Sequence, residues 1–332
     1  MLTNETVNRI FSGFKKLNAL IIGDVMVDSY LWGSVDRISP EAPVPIVSVE
    51  SRENRLGGAA NVGLNVNALG ANAIICAAVG NDIKGNELIE LMQKANLSTE
   101  GIVKSNARVT TTKFRVFGNH TQMIRVDEEN TEYLNNEEFG LLFNKIENIL
   151  SSKKIDVIIF QDYDKGVISE KLIGRVVESS LKMDIPVVVD PKKKNFLHYK
   201  NVTLFKPNLK EIKEGLNITF NANNSVELES AIDLLQEKLQ ASIILNTLSE
   251  KGVYVRWGKE SKIIPAHLRN ISDVSGAGDT VISVAALCLA LKIEAPVMAA
   301  ISNLAGGLVC EEVGVVPINS QRLQNEVSKL LT

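Results

Sequence analysis

Short apolar runs that alternate with helix-length segments constrain this chain more than any other feature. Leu20–Gly23, Ala73–Val79, Val157–Phe160, Pro186–Val189, Val202–Phe205 and Ile243–Leu245 are each strand-sized, with room for a helix between them. That pattern predicts βαβ units and a mostly parallel central sheet, an α/β fold. Five runs lead into acids or amides: Asp24, Gln161-Asp162, Asp190, Lys206-Pro207-Asn208 and Asn246-Thr247. Open α/β sheets bind ligands at the carboxyl ends of their parallel strands. Ordinary polar loops explain one or two such ends, not five of this character.

Two stretches break the alternation. Ser29–Arg55 holds Pro40, Pro43 and Pro45 among Val44, Val47 and Val49, which predicts extended edge structure and not helix. Thr110–Asp127 alternates as a hairpin, with Thr110, Thr112, Phe114 and Val116 on one face and a turn at Gly118-Asn119. Together they predict one small sheet, built from segments 29–55 and 104–127, standing off the main domain as a lid.

The run from Asp273 to Asp279, Asp-Val-Ser-Gly-Ala-Gly-Asp, precedes an apolar stretch from Val281 to Leu291. Glycines on either side of one alanine allow a tight turn, and the apolar stretch predicts a core helix. The turn is then an open helix N-terminus, a place for an anion. Asp279 would set a carboxylate beside that anion. It reads either as a helix cap or as a base for an attacking hydroxyl, and the fuller motif favours the base. An ordinary aspartate pKa of about 3.9 would keep it ionised at neutral pH. An exposed helix end contributes only about 0.3–1 kcal/mol towards holding an anion. A dry, preorganised donor contributes about 3–4 kcal/mol, which is why a water-excluding lid is expected.

Bulk properties narrow the class. Lys and Arg total 36 against 39 Asp and Glu, a net charge of −3 that leaves no nucleic-acid footprint. Cys76, Cys288 and Cys310 are widely spaced among apolar residues, as reduced, buried thiols would be. No apolar run approaches membrane-spanning length and Met1–Glu5 lacks a secretory pattern, so a cytoplasmic protein is expected. A phosphate-binding Gly-x-x-x-x-Gly-Lys loop, a dinucleotide glycine turn after Gly23 and a Gly-x-Ser-x-Gly elbow are all missing.

Taken in order, Gly23-Asp24 with Asp28, Gly57-Gly58-Ala-Ala-Asn61, Asn208-Leu-Lys-Glu211 and Asp273–Asp279 resemble the ribokinase-like (PfkB) family of carbohydrate kinases. The likeness covers essentially the whole chain. Within that family, Arg37–Pro45, Leu56–Val62, Thr111–Arg115, Ile124–Asp127, Asp162–Gly166 and Asp190-Pro-Lys192 are most similar to the heptose 7-phosphate kinase branch.

The resemblance implies a three-layer sandwich with a β-sheet lid, ATP and Mg²⁺ as cofactors, and phosphorylation of an anomeric hydroxyl in ADP-heptose synthesis for lipopolysaccharide. It makes Asp279 the base and gives the N–H groups of Gly276, Ala277 and Gly278 the phosphate. Nucleotide contacts fall on Asn208, Glu211, Thr247, Gly252, Gly276, Gly278 and Asn303. Asn208 and Glu211 would serve a water-mediated Mg²⁺; the same pair also reads as a capping box, and both readings stand. Sugar contacts fall on Asp24, Asp28, Gly57, Gly58, Asn61, Asp162 and Asp190. The basic residues Lys113, Arg125, Lys165 and Lys192 suit a substrate that already carries a phosphate.

Relatives often show Gly where this chain has Lys193, and Gly-Thr at Gly314-Val315, which leaves a monovalent cation open. Many relatives continue into a nucleotidyl-transferring domain. This chain stops at Thr332, so a separate nucleotidyltransferase is expected to act later. A lid-to-lid homodimer is expected from the apolar face of the small sheet. A kinase of a neutral sugar or nucleoside and a non-catalytic sugar sensor are the rival readings.

Overall fold

Strand β1 (Asn18–Gly23) carries apolar side chains to both sides, Ala19 and Ile21 one way, Leu20 and Ile22 the other, all fully buried. A strand covered on both faces belongs to the middle layer of three. The computed structural model describes residues 2–331; sequence readings at Met1 and Thr332 lie outside them. The strands that follow are β2 (Val25–Ile38), β3 (Pro45–Gly58), β4 (Asn72–Gly80), β5 (Ser98–Ser105), β6 (Thr112–Gly118) and β7 (Thr121–Glu128). Then come β8 (Val157–Gln161), β9 (Val187–Asp190), β10 (Leu204–Phe205), β11 (Ile243–Thr247), β12 (Val253–Trp257) and β13 (Glu260–Ile264).

Nine of these form one sheet in the order β13-β12-β11-β10-β9-β8-β1-β4-β5. It is parallel except at β12 and β13. Helices Asn4–Phe14, Ala59–Ala68, Ala277–Ala290, Ala295–Val309 and Ser320–Leu330 share one core with one face. Helices Asn136–Ser152, Glu170–Lys182, Leu209–Leu216 and Ser225–Leu239 pack on the other. The ribokinase-like sandwich expected from the sequence is present. The run at Val202–Phe205 contributes only two residues, β10, in register with β9 and β11. Strands β5, β12 and β13 escaped the sequence pattern because glycine or charged residues interrupt their apolar content.

The small sheet has the order β3-β2-β6-β7. Segment 29–55 is a long antiparallel pair, running from Val25 opposite Gly58 to Ile38 opposite Pro45. Residues 104–111, expected in the lid, instead finish β5 and connect it to β6. The hairpin turn also sits one residue later than expected: Asn119 and His120, at φ 52° and 65°, are its left-handed residues. Alternation puts Asp28, Tyr30 and Trp32 on one face with Lys113, Arg115 and Phe117, their partners on β6. Trp32 stacks on Phe117 with ring centres 4.1 Å apart. Phe114 and Val116, with Val126 and Ile124 opposite them, take the other face.

At the end of β1, Asp24 is buried, and its carboxylate accepts N–H groups from Tyr163 (2.9 Å), Lys165 (3.1 Å) and Val167 (3.1 Å). The loop after β8 is thereby tied across the sheet to β1. Gly58 starts helix Ala59–Ala68 at φ 60°, where a Cβ would lie 2.3 Å from the Asp24 carbonyl oxygen. Only glycine fits there. Burial of all three cysteines is as expected, and it pushes the Cys76 thiol up to about 12. No helix among the described residues is long and apolar enough to cross a membrane.

Removing the Asp24 carboxylate strands three backbone donors. Asp24→Ala should lower stability by roughly 3 kcal/mol, at about 1–3 kcal/mol for each unsatisfied group. Urea unfolding measures this, and a loss below about 1 kcal/mol would show that the loop does not depend on Asp24.

Candidate active site

Helix Ala277–Ala290 begins at Gly276, which takes the left-handed conformation with φ 80° and has no side-chain cap. A Cβ on Gly276 would come within 3.1 Å of the Asn61 amide nitrogen, so glycine is required by both space and conformation. Asp273 fixes the approach to the turn. One of its carboxylate oxygens accepts the Ser275 N–H (2.9 Å) and the other the Gly314 N–H (3.0 Å). Behind the turn, residues 279–288 are all buried, so the open N-terminus is anchored in the core.

Asp279 lies in the first turn, 5% exposed. Gly276 holds the cap position, so Asp279 does not cap its helix. Its carboxylate instead collects side-chain donors: Asn61 Nδ2 at 2.7 Å, Tyr163 OH at 2.8 Å and Gln161 Nε2 at 3.0 Å. Burial pushes its pKa up to about 6, with the Asp190 charge adding to the rise. The Asn61 and Tyr163 hydrogen bonds and the Lys206 ammonium oppose that rise. The ordinary value expected from sequence is therefore corrected upward.

Lys206 and Asp190 complete the mouth of the helix. They are both buried and form an ion pair at 3.0 Å. A Cβ on Gly278 would lie 3.5 Å from Lys206 Nζ and 3.7 Å from Asp190 Oδ2, so the ammonium borders the glycine turn. The Ala277 N–H, expected to face the phosphate, donates instead to the Val274 carbonyl at 3.3 Å. The N–H groups of Gly276 and Gly278, the helix dipole and the buried ammonium can together hold an anion. Lys206 was not assigned from sequence, although a lysine at the end of a parallel strand was visible in Lys206-Pro207-Asn208. Tyr163 was also missed. Its ring lies 5.7 Å from both Lys113 Nζ and Lys192 Nζ, and burial and the Asp279 charge hold its hydroxyl protonated.

Several expected sugar contacts are spent inside the protein. Asp24 holds the β8 loop. Asp162 accepts from Tyr199 OH (2.7 Å) and Asn195 Nδ2 (3.0 Å), which places it behind the site. Asp28 pairs with Arg115 at 2.5 Å, and a Cβ on Gly57 would lie 2.3 Å from Asp28. Asn61 turns its amide to the Asp279 carboxylate.

The basic residues divide. Arg125 is half exposed and pairs with Asp127 (2.9 Å), and Lys165 pairs with Glu129 (2.8 Å). Lys192 pairs with Glu211. Burial opposes its charge, but Asp190 and Glu211 outweigh burial and hold it above the usual lysine range. Lys113 forms no ion pair among the described residues, and burial lowers its pKa.

On the far side, Asn208 and Glu211 form a complete capping box at the start of helix Leu209–Leu216. Thr247 lies beside Asn208 through a parallel bridge. Gly252 turns at φ 98°, and Asn303 donates to the Pro265 carbonyl at 2.9 Å.

Residues 16–322 match the model of the pfkB family of carbohydrate kinases. The chain belongs to that family. It is an ATP-dependent sugar kinase. It is 37% identical to the bifunctional protein HldE of Campylobacter curvus over 305 residues, covering 92% of this chain and 64% of that one. The HldE of Aliarcobacter butzleri is 38% identical over 300 residues, 90% of this chain and 62% of its own length. This kinase thus spans less than two thirds of those relatives.

Its fold matches phosphofructokinase-2 from Escherichia coli, solved with potassium, with a TM-score of 0.76. Identity there is 17%, covering 94% of this chain and 99% of that one. Arabidopsis thaliana ribokinase, complexed with ribose and ATP, gives a TM-score of 0.71 at 14% identity, covering 93% and 98%.

A base must be ionised to accept a proton, so activity should fall as pH drops through the Asp279 pKa of about 6. Asp279→Asn should lower turnover by about 10²–10⁴ at all pH values. A wild-type profile flat down to pH 4.5, or near-normal turnover in that variant, would remove Asp279 from the role.

Proposed function

We propose that this kinase moves the γ-phosphoryl group of ATP to the anomeric hydroxyl of a sugar phosphate. The substrate is heptose 7-phosphate and the product heptose 1,7-bisphosphate, made on the way to ADP-heptose for lipopolysaccharide. Likeness to HldE supports the sugar. The observation that carries the phosphate is Lys113, a half-buried ammonium without a carboxylate partner that flanks the same tyrosine that touches Asp279. A second phosphate on the substrate supplies the missing countercharge.

Asp279 takes the proton from the sugar oxygen as the bond to the γ-phosphorus forms and the bond from phosphorus to the β-phosphate oxygen breaks. An anomeric hydroxyl is more acidic than an ordinary alcohol, so a base near 6 suffices. Lys206 and the N–H groups of Gly276 and Gly278 hold the charge that spreads over the transferring phosphoryl, largely a matter of position and electrostatics. The lid face with Asp28, Tyr30 and Arg115 excludes water above it.

For the Mg²⁺ that accompanies ATP, Asn208 and Glu211 are tied by their capping box, and Glu211 also by Lys192. Their remaining lone pairs fit a hydrated ion and not direct ligation. The ion would supply countercharge to the phosphates.

On the small sheet, Ile124 and Val126 of β7 are 55% and 50% exposed, and Val44 and Val49, beside and on β3 at the opposite edge, are 51% and 44% exposed. A four-stranded sheet with an apolar face open to water is marginal alone. We propose that two copies pack these faces together, lid to lid.

The substrate reading is tested by ADP release with heptose 7-phosphate and with the unphosphorylated heptose. Lys113→Ala should cost about 1.5–3 kcal/mol, roughly tenfold or more in KM, with the phosphorylated sugar only. Equal losses on both sugars would leave Lys113 a support for the lid. Preference for the neutral sugar by the wild type would replace the substrate. Light scattering at micromolar concentration should give twice the chain mass of 36.3 kDa. A fully active monomer would refute the dimer.

A further inference from the structure

Behind the base lies a chain of side-chain amides that the reaction described above does not use. Asn61 donates to Asp279, and Asn65, one helical turn on, donates to the Asn61 backbone carbonyl at 2.9 Å and faces Asn61 Oδ1 at 3.4 Å. The Asn65 Oδ1 accepts the Ile318 N–H and the Thr280 hydroxyl, each at 3.0 Å. Both asparagines are 0% exposed.

The polarity of this chain is set by groups that cannot reverse. A backbone N–H only donates, so the atom of Asn65 facing Ile318 must be its oxygen. A backbone carbonyl only accepts, so the atom facing Asn61 must be the Asn65 nitrogen. The second hydrogen on that nitrogen points to the Asn61 side chain, which must answer with its oxygen. Asn61 is then left with its NH₂ group towards Asp279. A reversed Asn61 would set a carbonyl oxygen against the carboxylate, favouring the protonated acid.

We propose that Asn65 is a positioning residue, which fixes the Asn61 amide as a donor so that Asp279 is ionised at working pH. The proposal rests on the reading of Asp279 as the base, but its physical content is the direction of one amide. The other groups facing Asp279 are Gln161, Tyr163, Asp190 and Lys206, from β8, the loop after it, β9 and the end of β10. None of them contacts Asn65 through a recorded hydrogen bond, so a change at Asn65 reaches the carboxylate through Asn61.

The test reads the carboxylate directly. Protein labelled with ¹³C at aspartate carboxyls is titrated by NMR, with the Asp279 signal identified by its loss in Asp279→Asn. Asn65→Ala should move the Asp279 titration upward by about one pH unit. Asn65→Asp keeps the volume and both acceptor bonds to Ile318 and Thr280 but cannot donate to Asn61, and should shift it in the same direction. That variant covers the case in which Asn65→Ala fails to fold.

In an Asn61→Ala background, Asn65→Ala should add no further shift. Unmoved titration in the single variants, or an equal shift in the Asn61→Ala background, overturns the proposal. Because the titration needs no substrate, it stands or falls apart from the identity of the sugar. A KM and kcat split supplies the second readout: kcat at pH 6 should fall about fivefold and recover by pH 9, with KM for ATP unchanged.

Discussion

The structure depends on one unfavourable arrangement, a carboxylate buried at the open end of an apolar helix. Burial alone would keep Asp279 protonated and useless as a base. The Asn61 and Tyr163 donors and the Lys206 ammonium oppose that rise and leave its pKa at about 6, low enough to be ionised at neutral pH. It also remains a stronger base than an exposed aspartate. The site therefore balances desolvation against hydrogen bonding, and each donor comes from a different part of the fold. Asn61 comes from the helix after β3, Gln161 from β8, Tyr163 from the β8 loop and Lys206 from the end of β10.

That dispersion explains why some of the site could be read in the sequence and some could not. The glycine turn is contiguous, and its helix is apolar all round, so Asp273–Asp279 announces its shape and the place of Asp279 in the first turn. The polar strand ends at Asp24, Asp162 and Asp190 are equally visible, but their roles are not. Asp24 and Asp162 are consumed by loop N–H groups, Tyr199 and Asn195, partners fixed only by the tertiary fold. A carboxylate that binds a sugar and one that staples a loop look the same in one dimension.

The fold shows the same division. Apolar runs buried on both faces marked the central strands and the three layers. The lid was recognisable from its prolines and alternation, but its order was not, because β2 pairs with β6 in parallel across more than fifty intervening residues. Strands β12 and β13 form the sheet's antiparallel margin: β12 is buried on both faces for only three residues before Arg256, and the mostly exposed β13 admits Glu260 and Lys262, so the apolar signal is lost. Tyr163 was hidden differently. It lies between two acids in a loop that turns left-handed at Asp164 and Gly166, and its hydroxyl meets Asp279 only in the tertiary fold.

The segment from Glu311 to Asn319 joins these elements. Its Gly314 N–H holds Asp273, which in turn holds the Ser275 N–H at the glycine turn. Four residues on, the Ile318 N–H holds Asn65, and through Asn61 the Asp279 carboxylate. One stretch of backbone thus ties down both the approach to the glycine turn and the asparagine pair behind Asp279. Displacing it would disturb both together. Gly314 itself lies close against the lid, since a Cβ there would lie 2.6 Å from Arg55 and 3.9 Å from the Tyr30 hydroxyl. The lid and the approach to the glycine turn therefore meet at Gly314, where the N–H holds Asp273 and the α-carbon leaves no room for a side chain beside Arg55.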